Sequence, residues 1–147
     1  IIRNPYDRFC SIFHHYSFSP RASSWDKLQR DCFFSLFKSP KYLAHALERN
    51  KKVKSTFLSY ILARPQVEWI MSESVILVDH LFPFENMYIV EDYLRKILRH
   101  PKVKLPHLNS SKRTASWKSE LDNRSKRIIG KIYRKDIEMW ERIWRAI

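Results

Sequence analysis

An arginine and a serine near the start of the chain have the types and the spacing that an anion-binding site requires. They are Arg3 and Ser11, in the stretch RNPYDRFCS, which follows the aliphatic residues Ile1 and Ile2. Asn and Pro come directly after the arginine, and these types are preferred at the cap and the first position of a helix. Such a helix presents its first N–H groups and the positive end of its dipole to an anion. The guanidinium can bind an oxyanion through two hydrogen bonds, and the serine hydroxyl, two turns along, can add a third.

The spacing leaves a second interpretation open, in which this stretch binds nothing. Helix N-termini attract anions in general, and many of them hold no ligand. Arg3 and Arg8 would then pair with carboxylates at the surface, and Ser11 would simply be exposed to solvent. The choice between these interpretations needs information from the rest of the chain.

The composition favours an anionic partner and excludes a glycine-rich phosphate loop. The 147 residues include 28 Lys and Arg against 15 Asp and Glu, which gives a formal net charge of +13. Such a surplus attracts nucleic acids, anionic lipids, phosphate-bearing cofactors and anionic glycans alike. Gly130 is the single glycine, whereas average usage predicts about ten, so any phosphate must be bound by side chains and helix ends. The six histidines and two cysteines lack the spacing of a metal site.

Helices should dominate the structure, with only one or two strands. Apolar residues recur at helical spacing, as at Phe9 and Phe13, and caps or prolines mark several helix starts. The pattern predicts helices over residues 5–16, 25–37, 40–50, 84–99, 119–133 and 136–146. A β-branched run predicts a strand over residues 74–82, and Ile1 and Ile2 are typical of the end of a buried strand. The basic residues 50–55 are expected to be solvated, and residues 100–116 to form a long loop.

Four segments, in order along the chain, are similar to motifs of a single enzyme family. RNPYDRFCS resembles the 3′-phosphate-binding motif of sulfotransferases that use 3′-phosphoadenosine 5′-phosphosulfate (PAPS), above all those of the carbohydrate-sulfotransferase group. VDHLFPFENM is similar to a second motif of this family, with Asp79, Phe84, Glu85 and Asn86 in register. LPHLNSSKR resembles the loop before the terminal helices, and IYRKDIEMW resembles the usual ending. The resemblance thus spans nearly the whole chain.

This resemblance implies a cofactor and a fold. Arg3 and Ser11 would grip the 3′-phosphate of PAPS, or of its product adenosine 3′,5′-bisphosphate. The parent would have an α/β, P-loop-like sulfotransferase fold, with helices flanking a parallel sheet. Residues 1–147 would be the C-terminal part of a single domain, mostly helical in itself. The 5′-phosphosulfate-binding segment and the catalytic base are expected upstream of Ile1, so no catalytic residue is assigned and the chain alone should be inactive.

The basic loop at residues 109–118 is a second candidate for binding the cofactor. Its order of residues is similar to the loop that closes over the 3′-phosphate in more distant sulfotransferases, which implies a role for Ser111, Lys112 and Arg113. The alternative is a solvated basic loop. Trp117 is either a core residue or a lid over the adenine ring, and Glu85 is expected either to support a neighbouring site residue or to be a capping group.

Two functions from different classes stay open. The first is a PAPS-dependent sulfotransferase that transfers a sulfuryl group to a hydroxyl or amine of a glycan or small acceptor, without a metal. The alternative is a basic helical nucleic-acid-binding domain, which the charge favours but the scatter of basic residues disfavours.

Exposed sheet-facing apolar surface is expected to promote self-association. The compartment is undecided: the resemblance implies the cytoplasm for a bacterial member and the Golgi membrane for an animal one.

Overall fold

Helices form most of the part of the chain that the structure describes. The structure is a computed structural model and describes residues 1–18, 33–73, 75–106 and 115–147. Its helices are α1 (Pro5–Phe18), α2 (Pro40–Arg49), α3 (Lys51–Ser59), α4 (Met87–Leu98), α5 (Trp117–Glu120), α6 (Asn123–Ile132) and α7 (Arg134–Arg145). Two-residue strands, β1 (Met71–Ser72) and β2 (Val75–Ile76), form an antiparallel hairpin. Single 3₁₀ turns are formed by Phe34–Leu36, Ile61–Ala63, Gln66–Trp69 and Phe84–Asn86.

The main apolar core surrounds α1. Phe9 and Phe13 lie one turn apart on this helix and are buried, as their helical spacing predicts. α1 contacts α2, α5, α6 and α7. The other buried members of the core are Cys10, Ile12, Phe33, Phe34, Leu43, Ala44, Leu47, Phe57, Ala63, Leu121, Ile129 and Tyr133. The core therefore fixes the helix that follows Arg3.

A smaller apolar cluster attaches the start of the chain to the last helix. Its buried members are Ile2, Val67, Met139 and Ile143. Ile2 also forms a parallel β-bridge with Pro83. In this bridge the Ile2 N–H donates to the Phe82 carbonyl at 2.8 Å, and the Phe84 N–H donates to the Ile2 carbonyl at 2.7 Å. The residue before Arg3 is therefore held by both its backbone and its side chain.

The strand predicted over residues 74–82 is much shorter in the structure. Among its described residues, only Val75–Ile76 is a strand, paired antiparallel with Met71–Ser72. Each backbone group of a strand needs a hydrogen-bonded neighbour, and the hairpin ends with a last bond from the Leu77 N–H. The chain makes its next bridge at Pro83. One continuous strand is therefore a wrong prediction, and the parallel sheet of an α/β parent stays a prediction.

Two predicted helix starts and the predicted solvation of residues 50–55 are confirmed. α1 begins at Pro5 and α2 at Pro40, as predicted. Residues 50–55 are solvated as predicted, since the lysine side chains among them are exposed. They also begin α3, because Asn50 accepts hydrogen bonds from the N–H groups of Lys52 and Val53.

The helix predicted over residues 119–133 is two helices. α5 ends before Leu121, which is extended, and Asp122 caps α6. The helix predicted over residues 25–37 lies mostly outside the described residues. In the described part of the chain, none of the helices has the length and apolar character needed to cross a membrane.

Candidate anion-binding site

The Arg3 guanidinium and the Ser11 hydroxyl are in direct contact. Arg3 Nη1 donates a hydrogen bond to Ser11 Oγ at 3.0 Å. Both residues are half-buried. The side chain of Arg3 therefore reaches along the first two turns of α1. The two groups are close enough to contact one oxyanion, and their binding of a phosphate stays a prediction.

Asp7 shares the Arg3 guanidinium, and this is the kind of carboxylate pairing that the second interpretation of the stretch predicts, although the sequence did not single out Asp7 as the partner. Arg3 Nε and Nη2 lie 2.7 and 2.6 Å from Asp7 Oδ2. The signal that could have revealed the contact is the four-residue spacing of an arginine and an aspartate, which is typical of ion pairs along a helix. The pair cancels the formal charge of Arg3.

The first N–H groups of α1 are already paired. Asn4 Oδ1 accepts hydrogen bonds from the Tyr6 N–H at 3.0 Å and the Asp7 N–H at 3.2 Å. The Arg8 N–H donates to the Asn4 carbonyl at 2.8 Å, and Pro5 has no N–H to offer. The prediction of Asn4 as the cap is confirmed, whereas the prediction that these N–H groups are unpaired and receive an anion is wrong. A ligand here must be bound by side chains.

Two segments that are distant in the sequence meet behind Arg3. The ring of Phe84 lies 4.7 Å from the guanidinium carbon of Arg3. Glu85 Oε1 accepts a hydrogen bond from the Asn4 N–H at 2.6 Å, and its Oε2 accepts one from Trp140 Nε1 at 3.0 Å. The prediction of Glu85 as a capping group is confirmed. The stretch FEN, at residues 84–86, therefore packs against Arg3 and Asn4.

Arg8, the second arginine of the stretch, has a structural role. Its Nη2 donates to the carbonyls of Leu62 at 2.6 Å and Arg64 at 2.7 Å, and its Nη1 lies 3.8 Å from Asp136 Oδ2. Burial raises the pKa of the Asp136 carboxyl, although backbone N–H groups and Arg8 oppose this change. Burial also lowers the pKa of the Arg8 guanidinium. Both pKa changes reflect the cost of removing a charge from water. The contacts of Arg8 are therefore structural contacts within the protein interior.

α5 lies against the side of α1. The ring of Trp117 stacks on Tyr6, with the ring centroids 5.1 Å apart. His14 Nε2 contacts Glu120 Oε1 further along the same two helices. Trp117 also packs against the main core. These contacts favour the core interpretation of Trp117 over a lid.

Three predicted cofactor-binding residues, Ser111, Lys112 and Arg113, lie outside the described residues. The same is true of most of the loop LPHLNSSKR. Among the residues that the structure does describe, no group of three or more His, Cys, Asp or Glu side chains could hold a metal ion. The described candidates for binding an anion are therefore Arg3 and Ser11.

The hydrogen-bond donors at Arg3 and Ser11 fit a phosphate group. A guanidinium has five N–H bonds, of which Nε and Nη2 direct one each to Asp7 and Nη1 directs one to Ser11. Among the described residues, the other two N–H bonds of Arg3 and the hydroxyl proton of Ser11 have no acceptor, so all three can donate to a ligand. Phosphate oxygens are strong acceptors for such donors. Because Asp7 offsets the charge of Arg3, the positive surplus of the whole chain must contribute to attraction.

Comparison with known proteins gives no relative. No protein-family profile, curated protein or solved structure matches the chain. A function can therefore be assigned only from the motif residues and from the geometry of the site.

Proposed function

We propose that this chain is the 3′-phosphate-binding part of a PAPS-dependent sulfotransferase. The observation that carries the proposal is the 3.0 Å contact between Arg3 and Ser11, the two residues that the motif assigns to one phosphate. The contact of RNPYDRFCS with the stretch FEN, through Phe84 and Glu85, is consistent with two motifs that serve one site. The acceptor is a hydroxyl or an amine, with an anionic glycan as the favoured class because the net charge is +13.

The described residues would bind and orient the nucleotide. When bound, PAPS supplies the activated sulfuryl group for transfer to the acceptor. Arg3 would hold the 3′-phosphate through its two remaining N–H bonds, and Ser11 would donate its hydroxyl proton to the same group. Phe84 and Asp7 restrict the orientation of the guanidinium. This restriction lowers the entropic cost of ordering Arg3 when the nucleotide binds.

The first prediction tests this role by calorimetry with two nucleotides. The chain should bind adenosine 3′,5′-bisphosphate more tightly than adenosine 5′-monophosphate, which lacks the 3′-phosphate. Arg3→Ala should weaken binding of the bisphosphate by about tenfold or more, because hydrogen bonds to charged groups contribute about 1.5–3 kcal/mol each. Ser11→Ala should weaken it less. Arg3→Lys should restore part of the loss, since lysine lacks the planar fork of donors.

An exposed arginine provides the matched control. Arg134→Ala removes the same charge from a side chain that is 76% exposed, so it should leave the preference for the bisphosphate unchanged. Equal weakening of both nucleotides in Arg3→Ala would assign Arg3 a structural role. Absence of any preference in the unmodified chain, together with tight and steeply salt-dependent binding of random DNA, would favour the nucleic-acid-binding alternative.

A further inference from the structure

Gln66 holds the backbone of Arg3 through both ends of its side-chain amide. The Arg3 N–H donates to Gln66 Oε1 at 2.9 Å, and Gln66 Nε2 donates to the Arg3 carbonyl at 2.8 Å. The amide thus makes the pair of hydrogen bonds that one residue of an antiparallel strand makes with its neighbour. The backbone groups of the preceding residue, Ile2, bond instead to the bridge around Pro83. A single side chain therefore completes the backbone bonding of Arg3.

The turn that carries Gln66 is anchored to the protein interior. The Gln66 N–H donates to Asp136 Oδ2 at 2.7 Å, and the Val67 N–H donates to Asp136 Oδ1 at 3.0 Å. The hydroxyl of Tyr133 donates to the Ala63 carbonyl at 2.6 Å. Tyr133 and Asp136 are both almost completely buried. The last helix thus fixes the position from which Gln66 reaches Arg3.

We infer that Gln66 is a positioning residue, and that its amide sets how strongly Arg3 binds the 3′-phosphate. This inference rests on the proposed function. Without the amide, the backbone of Arg3 loses its two bonds on one side, and its dihedral angles gain freedom. Ordering a freed residue on binding costs conformational entropy, and a guanidinium that is not held in advance binds its ligand more weakly. Gln66 would therefore affect a phosphate that it does not touch.

The test compares two variants that each remove two side-chain-to-backbone hydrogen bonds. Gln66→Ala removes the pair at Arg3. Asn50→Ala removes the pair at Lys52 and Val53, which caps α3. Calorimetry measures the ratio of affinities for adenosine 3′,5′-bisphosphate and adenosine 5′-monophosphate. Gln66→Ala should lower this ratio roughly three- to tenfold, the effect of one to two neutral hydrogen bonds, whereas Asn50→Ala should leave it unchanged even if both variants melt earlier.

A second variant keeps the test decisive if Gln66→Ala does not fold. Gln66→Glu has the same shape and can still accept from the Arg3 N–H, but its carboxylate cannot donate to the Arg3 carbonyl. It should lower the ratio as well, because the Arg3 carbonyl then faces a carboxylate oxygen instead of a donor. In an Arg3→Ala background, neither change at Gln66 should alter the ratio further, because residues that act through one another are not additive. A full effect in that background would contradict the inference.

Nuclear magnetic resonance separates a failure of this inference from a failure of the proposed function. The exchange of the Arg3 Nε–H with water reports how firmly the guanidinium is held against Asp7, with or without a nucleotide. Gln66→Ala should accelerate this exchange by about threefold or more, and Asn50→Ala should not. If the unmodified chain shows no preference for the bisphosphate, the proposed function fails and the exchange rate alone decides the positioning role. An unchanged exchange rate and an unchanged affinity ratio in Gln66→Ala would overturn the inference.

Discussion

The carboxylate of Asp7 limits the positive charge that Arg3 can offer to a ligand. Its Oδ2 lies 2.6 Å from Arg3 Nη2, and both side chains are about one-quarter exposed to solvent. An anion that approaches Arg3 therefore also approaches a negative charge. The same carboxylate also orients the guanidinium. Its net effect on binding is therefore the difference between its repulsion of the anion and the affinity gained by holding Arg3 in place.

The second prediction is that Asp7 weakens phosphate binding by repulsion more than it strengthens binding by orienting the Arg3 guanidinium. Asp7→Asn keeps an oxygen that can accept from Arg3 but removes the charge. Because pairs at partly exposed positions interact by about 0.2–1 kcal/mol, adenosine 3′,5′-bisphosphate should bind roughly two- to fivefold more tightly to the variant. Calorimetry at low ionic strength measures this change. Weaker binding would mean that the ionised Asp7 is needed to hold Arg3, and unchanged binding of adenosine 5′-monophosphate is the control.

The sequence predicts which residues could bind an anion better than it predicts their partners. Arg3, Ser11 and the cap Asn4 follow from residue type and spacing within one short stretch, and the structure places them together. Gln66 and Asp136 carry no local signal of this kind. They act only because the turn of Gln66 folds against Arg3, 63 residues away in the sequence, and the helix of Asp136 folds against Gln66, a further 70 residues away.

At the scale of elements, the break between α5 and α6 depends on Asp122. Asp122 Oδ1 accepts hydrogen bonds from the Ser125 N–H at 2.7 Å and the Ser125 hydroxyl at 2.7 Å, and it lies 3.2 Å from His45 Nε2. The Ser125 backbone bond, followed by the other contacts, lowers the pKa of Asp122 to about 2 from an ordinary value of 3.8. The charged carboxylate is therefore favoured by the folded state.

The third prediction concerns stability in acid. A lowered pKa in the folded state stabilises the protein above the ordinary value of 3.8, and this contribution is lost as the pH falls toward about 2. Asp122→Asn can still cap α6 but cannot titrate, so the difference in unfolding free energy between it and the unmodified chain should shrink over that interval. Asp122→Ala should cost about 1 kcal/mol near neutral pH. Urea unfolding at several pH values measures both, and a pH-independent difference for Asp122→Asn would contradict the prediction.

The elements themselves were predictable where the signal is local. The starts of α1 and α2 are marked by Asn4 with Pro5 and by Ser39 with Pro40. The β-branched pattern that predicts a strand over residues 74–82 does not specify the neighbours with which such a strand would pair. The short hairpin and the bridge at Pro83 depend on which backbone groups are nearby in space.

At the scale of the whole molecule, net charge and exposed apolar surface oppose each other. The charge of +13 makes two copies of the chain repel. The hairpin region nevertheless exposes large apolar side chains, with Val75 62% and Leu77 63% exposed. Exposed apolar patches promote association, whereas repulsion between copies acts over a screening length of about 10 Å at 0.1 M salt and about 3 Å at 1 M. Salt should therefore decide which effect prevails.

The last prediction is that raising the salt concentration promotes self-association through the hairpin region. Sedimentation velocity should show a monomer at roughly 0.05 M sodium chloride and larger species at roughly 1 M, because screening removes the repulsion and leaves the apolar contact. Leu77→Ser removes apolar surface without changing the net charge, and it should suppress the larger species. Ile61→Ser is the matched control, since Ile61 is 60% exposed in a different turn. Equal suppression by both variants would place the contact elsewhere, and a monomer at every salt concentration would show that the exposed hairpin residues do not drive association.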